Sequence, residues 1–424
     1  MPEAAFTAVP PRALWLRLFL PFAAGYLLSY LFRTSNAVIG PVLARDLALP
    51  DHALGLLTST YFLAFGAAQL PLGILLDRFG ARRVESILLL AAAAGAALFA
   101  QAGDLAGLAF GRALIGLGVA ACLMAAFKAF HQSFPPERQA SLVGWIMSAG
   151  GLGAVFAAQP LEAAIDITGW RDVMLGLAAV TVVVSAGIWF IVPDKGVPSQ
   201  SAGFAAQLAG VRQVMTSRPF WRYAPMVTLS IGGFMAVQGL WVSRWMAEVE
   251  GFSRPVIAQQ LTALNAAFLV GCLFMGFMTT PLIRRGFTEA KILNVIGVAF
   301  VLVFAAINAC AGHGQGWLWA LLAFVYPTSN IAYPILTRSL PLALSGRANT
   351  ALNLAAFAGA FGLQWGMGIV VDTLRAIGWN ANEAYRATFA LLLLLQVLAV
   401  AWMFVAGAGR KGLAAGSSTE QGRN

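Results

Sequence analysis

The sequence is poor in charge. Only 10% of its 424 residues are charged, against about 25% in an ordinary soluble domain. With 59% hydrophobic residues, a chain of this length belongs in a bilayer rather than in water. Cysteine is scarce too. Cys122, Cys272 and Cys310 form an odd set, each inside an apolar run, which argues against a disulfide framework or a metal site. The three histidines, His52, His131 and His313, lie far apart, and no nucleophile–base spacing occurs. An enzyme is therefore the poorest reading, and no cofactor is called for. Period-2 alternation is missing from the apolar runs, so a transmembrane β-barrel does not fit. Acids are the scarcer sign, 17 against 27 Lys plus Arg, for a net charge of +10. In a membrane chain that excess points to basic cytoplasmic loops rather than to nucleic acid.

What is present is a series of apolar runs long enough to cross a membrane, each about 20 residues. They fall at 14–40, 53–76, 86–103, 105–131, 141–164, 173–193, 221–245, 256–282, 291–311, 316–338, 350–374 and 385–406. The fold class expected is all-α and integral to the membrane, with twelve transmembrane helices. The first run is too long for the core of a signal peptide and lacks a cleavage-like end. Lys and Arg cluster on alternate loops. Arg78, Arg82, Arg83, Arg138, Lys195, Arg212, Arg284, Arg285, Arg338, Arg347 and Arg410 share one side, against Arg45, Arg171, Arg254, Arg375 and Arg386 on the other. That asymmetry predicts both termini in the cytoplasm and a multi-pass protein of the cytoplasmic membrane.

The chain repeats itself. A shift of 209 residues carries Arg138 onto Arg347, Gly150 onto Gly359, Gly153 onto Gly362 and Gly169–Trp170 onto Gly378–Trp379. Two six-helix halves in parallel orientation follow, 1–193 and 221–406, with a linker at 194–220 and a tail at 407–424. Such repeats are characteristic of transporters, with the substrate site between the halves. In the linker, Phe204, Leu208, Val211 and Met215 recur at helical spacing and predict an amphipathic helix on the inner leaflet.

Two motifs carry a family resemblance. GILLDRFGARR, residues 73–83, presents Gly73, Asp77, Arg78, Gly80, Arg82 and Arg83, and resembles the signature loop of the major facilitator superfamily. In that family the loop latches the two halves on the cytoplasmic side during alternating access. GRALIGLGVA, residues 111–120, with Arg112, Gly116 and Gly118, resembles the family's second motif. Tyr30, Arg33 and Asn36 in span one are similar to the anion:cation symporter branch. There the arginines of spans one and four face the cavity and attract the anion. The resemblance makes Arg33 and Arg112 candidate substrate contacts. Two acids common in that branch are replaced here by Phe32 and Val119, and both are associated with proton coupling.

Charge bookkeeping supports an anionic substrate. An arginine at the centre of a span costs roughly 2.5–3.5 kcal/mol unless it faces a cavity or a counter-charge. The acids sit in loops or near span ends, with only Glu162 and Asp372 reaching into spans, so the missing charge is assigned to the ligand. A guanidinium also holds a carboxylate in bidentate fashion. Tyr30, Gln238, Trp241, Tyr326 and Asn353 complete the candidate cavity. Span ten, with YPTSNIAYP at 326–334, is expected to be loosened by its prolines. Lys128 and Arg244 are expected to reach water.

The expectation is a monomeric secondary transporter for a small organic anion, coupled to protons or a counter-anion. The alternatives are an efflux antiporter for drugs or metabolites, a carrier of a zwitterion such as an amino acid, and a membrane sensor. Efflux types usually place a Gly-Pro motif in span five and an acid within the membrane, and neither is apparent here.

Overall fold

The computed structural model describes residues 15–193, 204–341 and 344–420. The first loop of the linker, at 194–203, and the residues before Trp15 lie outside it. Among the described residues all regular structure is helical. Span one is Trp15–Phe19, Leu20–Thr34 and Asn36–Asp46, interrupted at Ser35. Spans two and three form one long element, Asp51–Gln101, broken at Gly80 with φ +81°. Only glycine takes that left-handed conformation without strain, so the motif glycine turns the chain back into the membrane with almost no loop. Span four is Leu105–Gly118 and Cys122–His131. Span five bends by 42° between Ser141–Phe156 and Gln159–Thr168. Trp170–Ile191 closes the first half.

The linker contains the helix Phe204–Met215. Val211 and Val214 are buried, while Phe204, Leu208 and Met215 are exposed. Span seven runs Arg218–Glu248 and carries two π-helical stretches, Val227–Gly232 and Val237–Trp241. Spans eight and nine are Arg254–Arg284 and Glu289–Ala309. Span ten changes to a 3-10 turn at Tyr326–Ile331, around Pro327, before resuming as Ala332–Arg338. Span eleven is Ser345–Ala376, and the last helix runs Ala381–Glu420, through most of the expected tail. Apart from the interruption at Ser35 in span one, the broken helices fall where the sequence has Pro or Gly, the usual causes of a kink.

The twelve spans form two six-helix halves. Glycine sets their internal spacing: Gly153 of span five leaves no room for a Cβ against the Leu27 carbonyl of span one. The halves meet mainly where span two lies along span eleven and span five lies along span eight. The two ends of the bundle can be named by a residue each, the Asp51 end and the Gly80 end.

Candidate substrate site

Arg33 lies at the junction of the halves and is half-buried. Its guanidinium sits 4.7 Å from the Tyr30 ring centroid, 5.1 Å from Phe65 and 5.8 Å from Phe357. The first two rings belong to the first half and the third to the second. Such contacts stabilise a cation by roughly 0.5–2 kcal/mol each without neutralising it. Tyr61, one turn before Phe65, donates its hydroxyl to the Ser29 carbonyl of span one at 3.4 Å. No carboxylate forms an ion pair with Arg33 among the described residues.

An aromatic arc extends from this cage into the second half. Tyr30 stacks on Phe268 of span eight at 5.8 Å, Phe268 lies 6.0 Å from Tyr326 of span ten, and Tyr326 stacks at 3.9 Å on Phe234 of span seven. Tyr30, Arg33 and Tyr326 therefore share one wall. Asn353 lies nearer the Gly80 end, its Oδ1 accepting from the Tyr333 hydroxyl at 2.8 Å. One turn further along, Thr337 donates to Asn349 at 3.0 Å. A cleft of about 260 Å³ is lined there by Tyr333, Pro334, Thr337, Arg338 and Asn349.

The other sequence candidates occupy different surroundings. Arg112 is only 2% exposed. Its Nη1 donates to the Phe32 carbonyl at 3.1 Å, and its guanidinium lies 5.4 Å from the Phe99 ring. It thus anchors the backbone next to Arg33. Gln238 donates to Asn265 at 2.9 Å, and Asn265 in turn donates to the Ala154 carbonyl across the halves at 2.8 Å. Trp241 is fully buried and donates to the Gln364 carbonyl at 3.0 Å, while Gln364 donates to Thr58 at 2.8 Å. Gln238 and Trp241 therefore belong to the packed part of the interface between Arg33 and the Asp51 end.

In the loop motif, Asp77 accepts from Lys128 of span four at 2.6 Å. Lys128 was expected to reach water; it instead binds this carboxylate and the Leu76 carbonyl, at 2.8 Å. Arg78 lies 5.4 Å from the Phe79 ring, and Arg82 donates to the Val192 carbonyl at 3.2 Å. Gly73 packs against Gln207 of the linker helix. The side chains of Arg82 and Arg83 are both engaged.

Arg244 also turns away from water. It reaches Asp51 at 2.8 Å and the Tyr385 hydroxyl at 3.1 Å. The two acids expected to enter spans lie near the same end: Glu162 pairs with Arg254 at 2.8 Å, and Asp372 with His52 at 2.8 Å. Sequence reasoning passed over Phe65, Phe357 and Tyr333. A Tyr61–Phe65 pair one turn apart was the one local signal for the cage. It also passed over Glu85, which was read as lying outside span three and is fully buried.

This arrangement sets an arginine caged by rings where the two halves of a helical bundle meet. Residues 22–364 match the Major Facilitator Superfamily, and the chain belongs to that family of transporters, not of enzymes. It is 25% identical over 283 residues to the hexuronate transporter of Escherichia coli K12, a match covering 62% of this chain and 64% of that protein. It is 23% identical over 288 residues to the galacturonate transporter of Dickeya chrysanthemi, covering 63% of this chain and 82% of that one. In fold it is similar to an inward-facing bacterial homologue of the human lysosomal transporter Spinster, with TM-score 0.75 and 17% identity over 94% of this chain and 98% of that one. A D-xylose–proton symporter matches with TM-score 0.71 and 14% identity, over 91% of this chain and 96% of that one.

Proposed function

We propose that the protein is a secondary transporter that moves a small organic anion across the cytoplasmic membrane by alternating access. The observation that carries this reading is Arg33: a cation at the meeting point of both halves, caged by rings and without a carboxylate partner among the described residues. A cation kept there is favourable when a mobile anion completes it. A sugar acid suits the surroundings. Its carboxylate would meet Arg33, and its hydroxyls would meet the amide and hydroxyl groups of Tyr333, Asn353 and Asn349. The relatives named for hexuronate and galacturonate support the same class. Arg112 holds the Phe32 carbonyl and so positions Arg33, while Tyr30 and Tyr326 form the wall of the site. Gln238 and Trp241 seal it towards the Asp51 end. The basic loops support a cytoplasmic position for the Gly80 end and both termini. One chain contains the whole cleft, so the working unit is the monomer.

Counterflow of D-galacturonate and D-glucuronate into proteoliposomes tests the reading. Arg33→Ala is expected to lower exchange by about 100-fold, the range for losing a charged, bidentate contact, while the thermal unfolding temperature stays near the parent value. Exchange at the parent rate in Arg33→Ala overturns the assignment of Arg33. Absence of exchange of either sugar acid by the parent protein overturns the substrate class.

A further inference from the structure

Glu85 is a carboxyl group sealed inside the first half. Its residue is 0% exposed, and both oxygens lack a hydrogen-bond partner by geometry. It follows the Gly80 turn by five residues, roughly 7 Å along the helix. Three helices close over it. From span one, Gly25 lies so near that a Cβ there would strike Oε1. From span six the Ile188 side chain packs beside Gly25. From span four the Cys122 thiol faces the carboxyl and is itself fully buried.

The charged groups on these helices are directed elsewhere. Arg82, one turn earlier, donates to the Val192 carbonyl at 3.2 Å. Lys128 holds Asp77 at 2.6 Å, and Arg112 holds the Phe32 carbonyl at 3.1 Å. Ser185 of span six donates to the Ser86 carbonyl at 2.7 Å, and Tyr26, beside Gly25, lies 3.8 Å from the Met147 sulfur. A carboxylate in such a place has neither water nor a counter-charge, so the group must be neutral while this packing holds.

We propose that Glu85 is the proton-binding site of the transport cycle, neutral when the Asp51 end is closed and ionised in a state that admits water to it. The proposal rests on the transport reading above. Binding a proton makes the carboxyl neutral and permits span one to lie against it. Losing that proton leaves a charge against the Gly25 backbone and favours separation of span one from spans three and four. The helices are built to respond. Span four is interrupted between Gly118 and Cys122, immediately before the residue that faces Glu85. Span one grips span four before the break and within it, through Arg112 to Phe32 at 3.1 Å and through Ser29 to the Val119 carbonyl at 3.4 Å. Arg33 follows Phe32 directly. An anion that draws Arg33 therefore moves the same helix whose Gly25 covers Glu85. One proton and one monovalent anion would cross together, with no net charge moved.

Two measurements test this. Infrared difference titration of the purified protein in lipid is expected to show a protonated-carboxyl band at neutral pH that disappears in Glu85→Gln. In proteoliposomes, one proton per anion lets a gradient of about one pH unit sustain about tenfold accumulation of D-galacturonate. Glu85→Gln is expected to abolish that accumulation while keeping counterflow within about threefold of the parent, a small change on the same scale. A carboxyl band retained in Glu85→Gln overturns the proposal, as does gradient-driven accumulation at the parent level in that variant. Should the parent protein exchange no galacturonate, the substrate reading fails, and the band alone decides whether Glu85 holds a proton.

Discussion

The two ends of the interface between the halves are built from different materials. At the Asp51 end the halves are joined by charge. Asp51, with its side chain 1% exposed, accepts from Arg244 and Tyr385 at 2.8 Å each and lies 3.6 Å from Arg375. His52 meets Asp372 through both its backbone N–H and its ring, at 2.7 and 2.8 Å. Arg254 reaches Glu162 at 2.8 Å and Asp166 at 3.4 Å. All of these cross from one half to the other. At the Gly80 end the ion pairs between described residues, Asp77–Lys128 and Glu289–Arg338, each stay inside one half. The wall there is uncharged amide and hydroxyl down to Arg338. The difference shows where this conformation gets its preference. Buried ion pairs gain little net stability, because desolvation offsets the Coulomb attraction, yet losing one partner is costly. A lock of that kind holds one end shut and can still be opened.

The comparison is broken most severely at Asp51. Asp51→Asn leaves the largely buried Arg244 facing a neutral side chain. Removing one partner of a buried pair typically costs about 3–5 kcal/mol, which shifts the closed-to-open ratio by roughly 150- to 4,000-fold. Spin labels at Ile167→Cys and Ile377→Cys, both exposed near that end and on opposite halves, are expected to move apart. Distances by electron double resonance check this, in a chain whose three native cysteines are replaced.

How much of this was legible in the sequence follows from the range of each interaction. Span periodicity and a helix at Phe204–Met215 are local properties, and both are present in the structure. Arg33 was visible as a charge in an apolar run. Its cage was not, because Phe357 comes from the other half and apolar rings carry no mark of which cavity they line. The lock was hidden for a similar reason: Asp51 and Tyr385 are 334 positions apart. Glu85 was lost to an error of a few residues. Hydropathy windows place a span boundary only to within about a helical turn, and here that turn separates a hydrated carboxylate from a buried carboxyl. Because Gly80 joins spans two and three almost without a loop, the residues after it are already inside.

A smaller effect is expected at the Gly80 end. Asn353→Ala removes the acceptor of the Tyr333 hydroxyl at 2.8 Å, in a half-buried position. One such hydrogen bond contributes about 0.5–1.5 kcal/mol, so the half-saturation concentration for a sugar acid should rise roughly two- to twelvefold. The label distance at the Asp51 end should stay as in the parent. A change of that distance in Asn353→Ala would show that the two ends do not have separate roles.

The smallest effect sharpens the comparison most, because the resemblance and the geometry differ over it. In the superfamily the loop motif latches the halves to each other, whereas Asp77 here binds Lys128 of its own half. Asp77 is half exposed, with 51% of its side chain accessible, and Lys128 has 19% accessible. Water screens such a pair, and its loss typically costs no more than about 1 kcal/mol. Lys128→Ala also removes a donor from the Leu76 carbonyl, which leaves the end of span two less firmly tied to span four. Both partners belong to the first half, so in the proposed alternating-access cycle the pair would contribute equally to the two conformations and would not bias them. Lys128→Ala should therefore lower the unfolding temperature slightly and leave the Ile167–Ile377 label distance unchanged. If instead that distance shifts towards the value reached in Asp51→Asn, the pair takes part in gating, and Asp77 must exchange Lys128 for a partner in the second half during the cycle.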